Sequence, residues 1–183
     1  MKRLLSKLIF KLNGWKIIGI ETYPLKCLVL SAPHTSNWDF ILGRCYAYII
    51  GAMPKYLAKS ELFLPVLSIF IKWNGGIPVY RNSKNNVVDD AVKMFKDSSR
   101  LNLGIAPEGT RNRVDKWKTG FYHIALKANV PILLHKIDYG KKEIGIICEF
   151  EATGNFEKDM LFIEGKYKNI KGKNPENYNP NIF

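Results

Sequence analysis

Short apolar runs alternate with longer amphipathic ones along most of this chain. Residues 26–32, Lys-Cys-Leu-Val-Leu-Ser-Ala, make a near-continuous apolar run of strand length. That is the pattern of a strand covered on both faces. Residues 37–50 predict a helix, 55–58 a short strand and 61–73 a very apolar helix. A strand over 77–80, a helix over 87–98 and a strand over 103–106 follow. A polar, Gly/Arg-rich loop then runs to Gly120, before a short helix over 121–128 and strands over 131–139 and 143–150. Strands that alternate with helices predict an α/β fold, a single layered domain with a central, largely parallel sheet flanked by helices. The tail beyond Lys166 is rich in Lys, Asn, Pro and Gly and predicts irregular structure.

The N-terminus has a different pattern. Over residues 3–12, Leu4, Leu5, Leu8, Ile9 and Leu12 share one helical face, and Arg3, Lys7 and Lys11 lie along its flank. A short basic amphipathic helix fits a membrane interface. It fits equally a terminal helix packed on its own domain, and periodicity does not separate the two. No run reaches the roughly 20 apolar residues that spanning a bilayer requires, and no secretory signal is visible.

Composition adds a core and a sign of charge. The chain has 183 residues with 46% hydrophobic content, enough for one domain with an ordinary core. Cys27, Cys45 and Cys148 are scattered and odd in number, which fits a reducing, cytosolic setting. Lys plus Arg is 28 against 16 Asp plus Glu, a net charge of +12. Such an excess favours an anionic partner: nucleic acid, an anionic membrane surface or a phosphorylated substrate.

In a parallel sheet, ligands bind beyond the C-terminal ends of the strands, so the segments after Ala32, Tyr80 and Ala106 carry the candidate chemistry. His34 follows the first of these strands. A histidine there suits a general base if a carboxylate fixes its tautomer, and Asp39 lies five residues on. In one continuous helix the two would be about 140° apart, so they meet only if His34 sits in the turn and Asp39 in the helix's first turn. The competing reading makes Ser36 and Asp39 a capping box and His34 a loop residue. His123 falls in a helical stretch and His135 in a strand pattern, neither with a comparable acidic neighbour. Arg81 ends the second strand, and Pro107-Glu108-Gly109-Thr110-Arg111 follows the third. Guanidinium groups grip phosphate with a planar fork, Gly109 permits close backbone approach, and Thr110 offers a hydroxyl. A surface turn of solvated charges, with Arg111 paired to Glu108, is the plainer alternative.

His34-Thr35-Ser36-Asn37-Trp38-Asp39 resembles the His-x-x-x-x-Asp signature of glycerolipid acyltransferases of the lysophosphatidic acid type. Gly76 to Arg81 is similar to that family's second motif, Pro107 to Arg111 to its third, and Val130-Pro131-Ile132 to the start of its fourth. The likeness covers residues 26–140 in the family's order. Pro33 and Leu133-Leu134 depart from the usual pattern, and many members carry a longer N-terminal anchor. The resemblance implies an O-acyltransferase in which His34 deprotonates the acceptor hydroxyl and Asp39 orients His34. It implies substrate binding by Arg81, Glu108, Gly109, Thr110, Arg111 and Lys118. Neither metal nor cofactor is implied, only acyl-CoA or an acyl carrier protein thioester as co-substrate.

The implied reaction is acyl transfer to the hydroxyl of a lysophospholipid such as 1-acyl-glycerol-3-phosphate, in phospholipid biosynthesis. The resemblance leaves open another lyso-lipid acceptor, such as a lyso-aminolipid. A basic nucleic-acid-binding module is the alternative of another class, although the lysines are spread along the chain and no nucleic-acid motif occurs. The expected organisation is a membrane-contacting segment over 1–25, an acyltransferase domain over 26–166 and a tail over 167–183. Its expected partners are lysophospholipid, acyl thioester and an anionic membrane surface, with acyl carrier protein a further candidate and no nucleic acid. Its expected place is cytoplasmic, peripheral on the inner face of the membrane. The apolar stretch 62–73 suits either the wall of an acyl-chain tunnel or, on general grounds, a buried core helix.

Overall fold

The structure, a computed structural model, describes residues 1–79 and 87–183. Helix α1 (Lys2–Asn13) leads into strand β1 (Lys16–Gly19), and β2 (Lys26–Ala32) is followed by α2 (Asn37–Ile50). Strand β3 (Lys55–Lys59), a single 3-10 turn, α3 (Pro65–Trp73) and β4 (Gly76–Val79) come next. The second half holds α4 (Val87–Asp97), β5 (Leu101–Ile105), α5 (Gly120–Ala128), β6 (Ile132–Asp138), β7 (Glu143–Phe150) and α6 (Phe156–Tyr167). The seven strands form one sheet in the order β1-β7-β6-β2-β5-β3-β4, and every pairing is parallel except β6 with β7. The α/β fold with a largely parallel sheet is therefore as the pattern predicts.

Strand β2 lies at the centre, between β5 and β6, and its alternate residues serve two different cores. Leu28, Leu30 and Ala32 join Phe95, Phe121 and Ile163 in the larger cluster, under α4, α5 and α6. Cys27 and Val29 face the other way with Leu133 and Ile146, on the side where Phe10 of α1 and Tyr46 of α2 also pack. Burial on both faces is why residues 26–32 read as unbroken apolar sequence.

Helix α3 departs from the sequence expectation, and α1 shows which of its faces docks. Helix α1 packs through Ser6 and Phe10, while Leu4, Leu5, Leu8 and Leu12 are exposed, so its leucine stripe is not the face that docks. Helix α3 is not a buried core helix: Ile71 is its one buried residue, and Val66 and Ile69 are 85% and 71% exposed. The reason is position, since α3 leads to the edge strand β4 instead of covering the sheet's centre. Lys2 Nζ lies 3.5 Å from the Trp73 ring centroid and links the start of α1 to the end of α3. No helix among the described residues is long and apolar enough to cross a membrane. Beyond α6 the chain is irregular apart from one 3-10 turn, yet Tyr178 and Ile182 are buried in the main core.

Candidate active site

Strands β2, β3, β4, β5 and β6 all end at the same edge of the sheet, because they run parallel. Pro33, His34 and Thr35 bridge the end of β2 to α2, whose N-cap is Ser36. Both readings of this segment hold at once. Ser36 and Asp39 form a reciprocal capping box, in which Ser36 Oγ accepts from the Trp38 N–H and Asp39 Oδ2 from the Ser36 N–H. The same Oδ2 accepts from the Thr35 N–H at 2.8 Å and lies 3.3 Å from His34 Nδ1. The pair meets because His34 is in the turn, outside the helix, and Asp39 in the first turn. Asp39 is 2% exposed at its side chain and His34 28%, so the imidazole is reachable while its carboxylate partner is shielded. With Nδ1 directed at Asp39, Nε2 is the ring nitrogen left for proton exchange.

A third residue completes the pair. Tyr139, just past β6, donates its hydroxyl to Asp39 Oδ1 at 2.8 Å. Burial first, then the neighbouring Asp39 charge, pushes the Tyr139 pKa upward, which keeps the phenol a donor. From the far end of the chain, Asn174 donates its backbone N–H to Thr35 Oγ1 and its side-chain amide to the Thr35 carbonyl.

The loop after β5 supports the same turn. Glu108 is 4% exposed, and its Oε1 accepts the His34 backbone N–H at 3.0 Å. Its other oxygen has no partner among the described residues. Burial above all raises its pKa from 4.5 to about 7. Gly109 has φ 64°, a conformation that favours glycine, and an added Cβ would lie 3.1 Å from the flexible end of Lys118, at Cε and Nζ. Thr110 Oγ1 accepts from the Asn112 N–H within the loop. Arg111 Nη1 donates to Asn37 Oδ1 on α2, and no ion pair joins it to Glu108 among the described residues. Arg81 lies outside the described residues. The structure thus brings His34, Asp39, Glu108 and Arg111 together, with Gly109 and Lys118 against each other beside them. It adds Tyr139, Asn174 and Asn37, which no local sequence signal marked.

A cavity of about 550 Å³ opens beside this cluster, with His34, Asp39 and Arg111 in its wall. It continues between the sheet and helices α2 and α3, where Phe40, Leu57, Leu67, Phe70 and Ile71 make it apolar. The arrangement therefore joins a shielded carboxylate–imidazole pair and a cation to a largely apolar cavity. Among the described residues no group of three or more His, Cys, Asp or Glu side chains is placed to hold a metal ion.

The family model described as Acyltransferase matches residues 15–135. The chain is 28% identical over 134 residues to the 1-acyl-sn-glycerol-3-phosphate acyltransferase of Haemophilus influenzae, across 63% of this chain and 53% of that one. It is 30% identical over 110 residues to the Escherichia coli protein of that name, across 56% and 43% of the two chains. With the protein of that name from Borreliella burgdorferi the identity is 32% over 141 residues, across 73% and 55%. The chain spans about half the length of the curated relatives it matches. Its fold is shared with the crystal structure of the 1-acyl-sn-glycerophosphate (LPA) acyltransferase, PlsC, from Thermotoga maritima. There the TM-score is 0.62 at 20% identity, over 90% of this chain and 74% of that one. The family match takes in well over half of the chain and includes both His34 and the Pro107–Arg111 loop; this chain belongs to the acyltransferase family.

Proposed function

We propose that this chain transfers a fatty-acyl group from an acyl thioester to the free hydroxyl of a lysophospholipid of the 1-acyl-glycerol-3-phosphate class. The observation that carries this reading is the His34–Asp39 pair, 3.3 Å apart, in the wall of an apolar cavity. In this reading His34 Nε2 removes the acceptor's hydroxyl proton as the oxygen attacks the thioester carbonyl carbon. The C–S bond breaks, and the departing thiolate of coenzyme A or acyl carrier protein takes the proton back from the imidazolium. Asp39 holds the ring and stabilises its charged form. The cavity along Leu67, Phe70 and Ile71 takes the acyl chain. Arg111 and, by its motif, Arg81 bind the acceptor's phosphate, with Lys118 adding positive charge.

The exposed leucines of α1, flanked by Arg3, Lys7 and Lys11, suit an anionic membrane surface where such a substrate resides. The exposed apolar residues of α3 extend this surface from the other end of Lys2. The direct test is His34→Ala, assayed by mass spectrometry of the lipid made from lysophosphatidic acid and an acyl donor. Loss of a positioned general base lowers the rate by about 10²–10⁴, and melting should be unchanged, because the His34 side chain is partly exposed and outside the core. Near-full activity in this variant would overturn the assignment.

A further inference from the structure

The tail beyond α6 returns to the edge of the sheet that carries the His34–Asp39 pair. Tyr178 and Ile182 anchor its far end in the main core. Between α6 and those anchors, residues 171–174 touch the site at two points. The Lys171 carbonyl accepts the Tyr139 N–H at 2.9 Å, and the Tyr139 hydroxyl in turn bonds Asp39 Oδ1. Asn174 meets Thr35 twice: its backbone N–H reaches Oγ1 at 3.2 Å, and its side-chain amide reaches the carbonyl at 2.9 Å. Gly172 lies against the same threonine, and a Cβ there would stand 2.7 Å from Thr35 Oγ1 and 2.9 Å from Cγ2. This stretch lies well past residue 135, where the family match ends.

Thr35 is the residue through which these contacts act on the pair. Its N–H bonds Asp39 Oδ2, the oxygen that faces His34 Nδ1, and its backbone continues directly from His34. The position of Thr35 therefore sets the carboxylate and the imidazole relative to each other. Glu108 holds the His34 N–H, and Asn174 holds the residue that follows it. Thr35 is only 3% exposed, so water has little access to replace a lost donor at its carbonyl. A buried carbonyl without a donor is costly, and the turn relieves that cost by moving. A misplacement of about 1 Å at a reacting group is enough to slow a reaction about a hundredfold.

We propose that Asn174 is a positioning residue for the His34–Asp39 pair, acting through Thr35, and that residues 171–174 form a strap that sets the pair's geometry. The inference rests on the reading of His34 and Asp39 as the reacting pair. It is tested in the full chain with Asn174→Ala, which removes the amide donor, and Gly172→Ala, which keeps every donor but crowds Thr35. Asn179→Ala is the control within the tail, because its amide bonds the Val114 and Asp115 carbonyls and not the turn. With lysophosphatidic acid and an acyl thioester, kcat should fall about ten- to a hundred-fold in the first two variants, with both KM values unchanged. Asn179→Ala should keep its kcat. If Gly172→Ala fails to fold, Asn174→Ala decides alone. Amide hydrogen exchange, read by NMR, adds a measurement that needs no turnover. The Thr35 and Ser36 N–H groups, both bonded to Asp39, should exchange faster in Asn174→Ala, while those of β2 keep their wild-type rates. Full kcat in Asn174→Ala, a defect confined to KM, an equal loss of kcat in Asn179→Ala, or unchanged exchange at Thr35 and Ser36 would overturn the strap. A wild-type protein that transfers no acyl group would instead overturn the proposed reaction, and the exchange rates would still decide whether Asn174 holds the turn.

Discussion

Glu108 gives the sharpest thermodynamic prediction in the molecule. It is buried, its Oε1 accepts the His34 N–H, and its pKa rises from 4.5 to about 7 on folding. Removal from water is the main cause, and the nearby Asp39 charge adds to it. The hydrogen bonds from the loop backbone and from His34, together with the His34 charge, offset part of the rise. The folded chain therefore holds this proton more tightly than the unfolded one. Between pH 4.5 and about 7 the folded state binds more protons, so stability falls as pH rises through that window. Outside the window the group contributes no slope. The 2.5-unit difference (7 − 4.5) amounts to about 3 kcal/mol at roughly 1.4 kcal/mol per unit.

Glu108→Gln removes the titration while its amide oxygen still accepts the His34 N–H. Urea unfolding of both proteins from about pH 4 to about pH 8 gives two stability curves, extrapolated linearly to water. Subtracting one from the other cancels the groups common to both. The wild-type protein should lose about 3 kcal/mol relative to the variant across the window. Curves that stay parallel within about 0.5 kcal/mol would refute the reasoning and mean that Glu108 is solvated or ionised throughout.

Two further predictions concern substrate and surface. Arg111→Lys keeps the charge but loses the planar fork, so the KM for a phosphate-bearing acceptor should rise roughly ten- to a hundred-fold, from about 1.5–3 kcal/mol of lost interaction. The donor KM should not move, and an equal defect toward phosphate-free acceptors would remove the phosphate role. Leu4→Glu with Leu8→Glu alters only exposed positions of α1 and should weaken sedimentation with anionic vesicles while melting is retained. Unchanged sedimentation would shift the contact to α3.

Much of this architecture was legible because its strands and helices have clear periods. The run over 26–32 announced a doubly covered strand, and the capping residues Ser36 and Asp39 marked the start of α2 to the residue. Strand β1 escaped because it has only four residues at the sheet's edge, too few to show alternation. Helix α6 did leave a trace: Phe156, Met160, Ile163 and Tyr167 are spaced by four, three and four, with Asn155 as the cap. Helix α3 misled in a different way, since apolar composition states what a helix can bury but not whether a sheet lies beneath it. At the site, His34 and Asp39 lie close in sequence and could be paired by spacing. Tyr139 and Asn174 lie 100 and 139 residues from their respective partners Asp39 and Thr35 and arrive only through topology, β6 being the neighbour of β2.

Asp39 holds two jobs in one carboxylate, and its hydrogen bonds show how to separate them. Oδ2 serves the Thr35 and Ser36 N–H groups, both at 2.8 Å, and faces His34 Nδ1, whereas Oδ1 meets the Tyr139 hydroxyl alone among the described residues. An alanine here would remove the Asp39 half of the capping box, worth about 1 kcal/mol, together with the histidine's partner. Asparagine acts differently. With its amide oxygen in the place of Oδ2, both backbone donors and the His34 N–H keep an acceptor. Its NH₂ then points at Tyr139, whose hydroxyl can rotate to accept. Cap, tautomer and ring orientation all survive, and only the charge that steadies the imidazolium is lost. Asp39→Asn should therefore melt within about 0.5 kcal/mol of the wild type yet turn over roughly ten- to a hundred-fold more slowly, from about 1.5–3 kcal/mol of lost charge-assisted bonding. Urea unfolding and steady-state kinetics on the same preparation decide it. A variant that loses stability but keeps its turnover would reduce Asp39 to a cap and leave His34 without a charged partner.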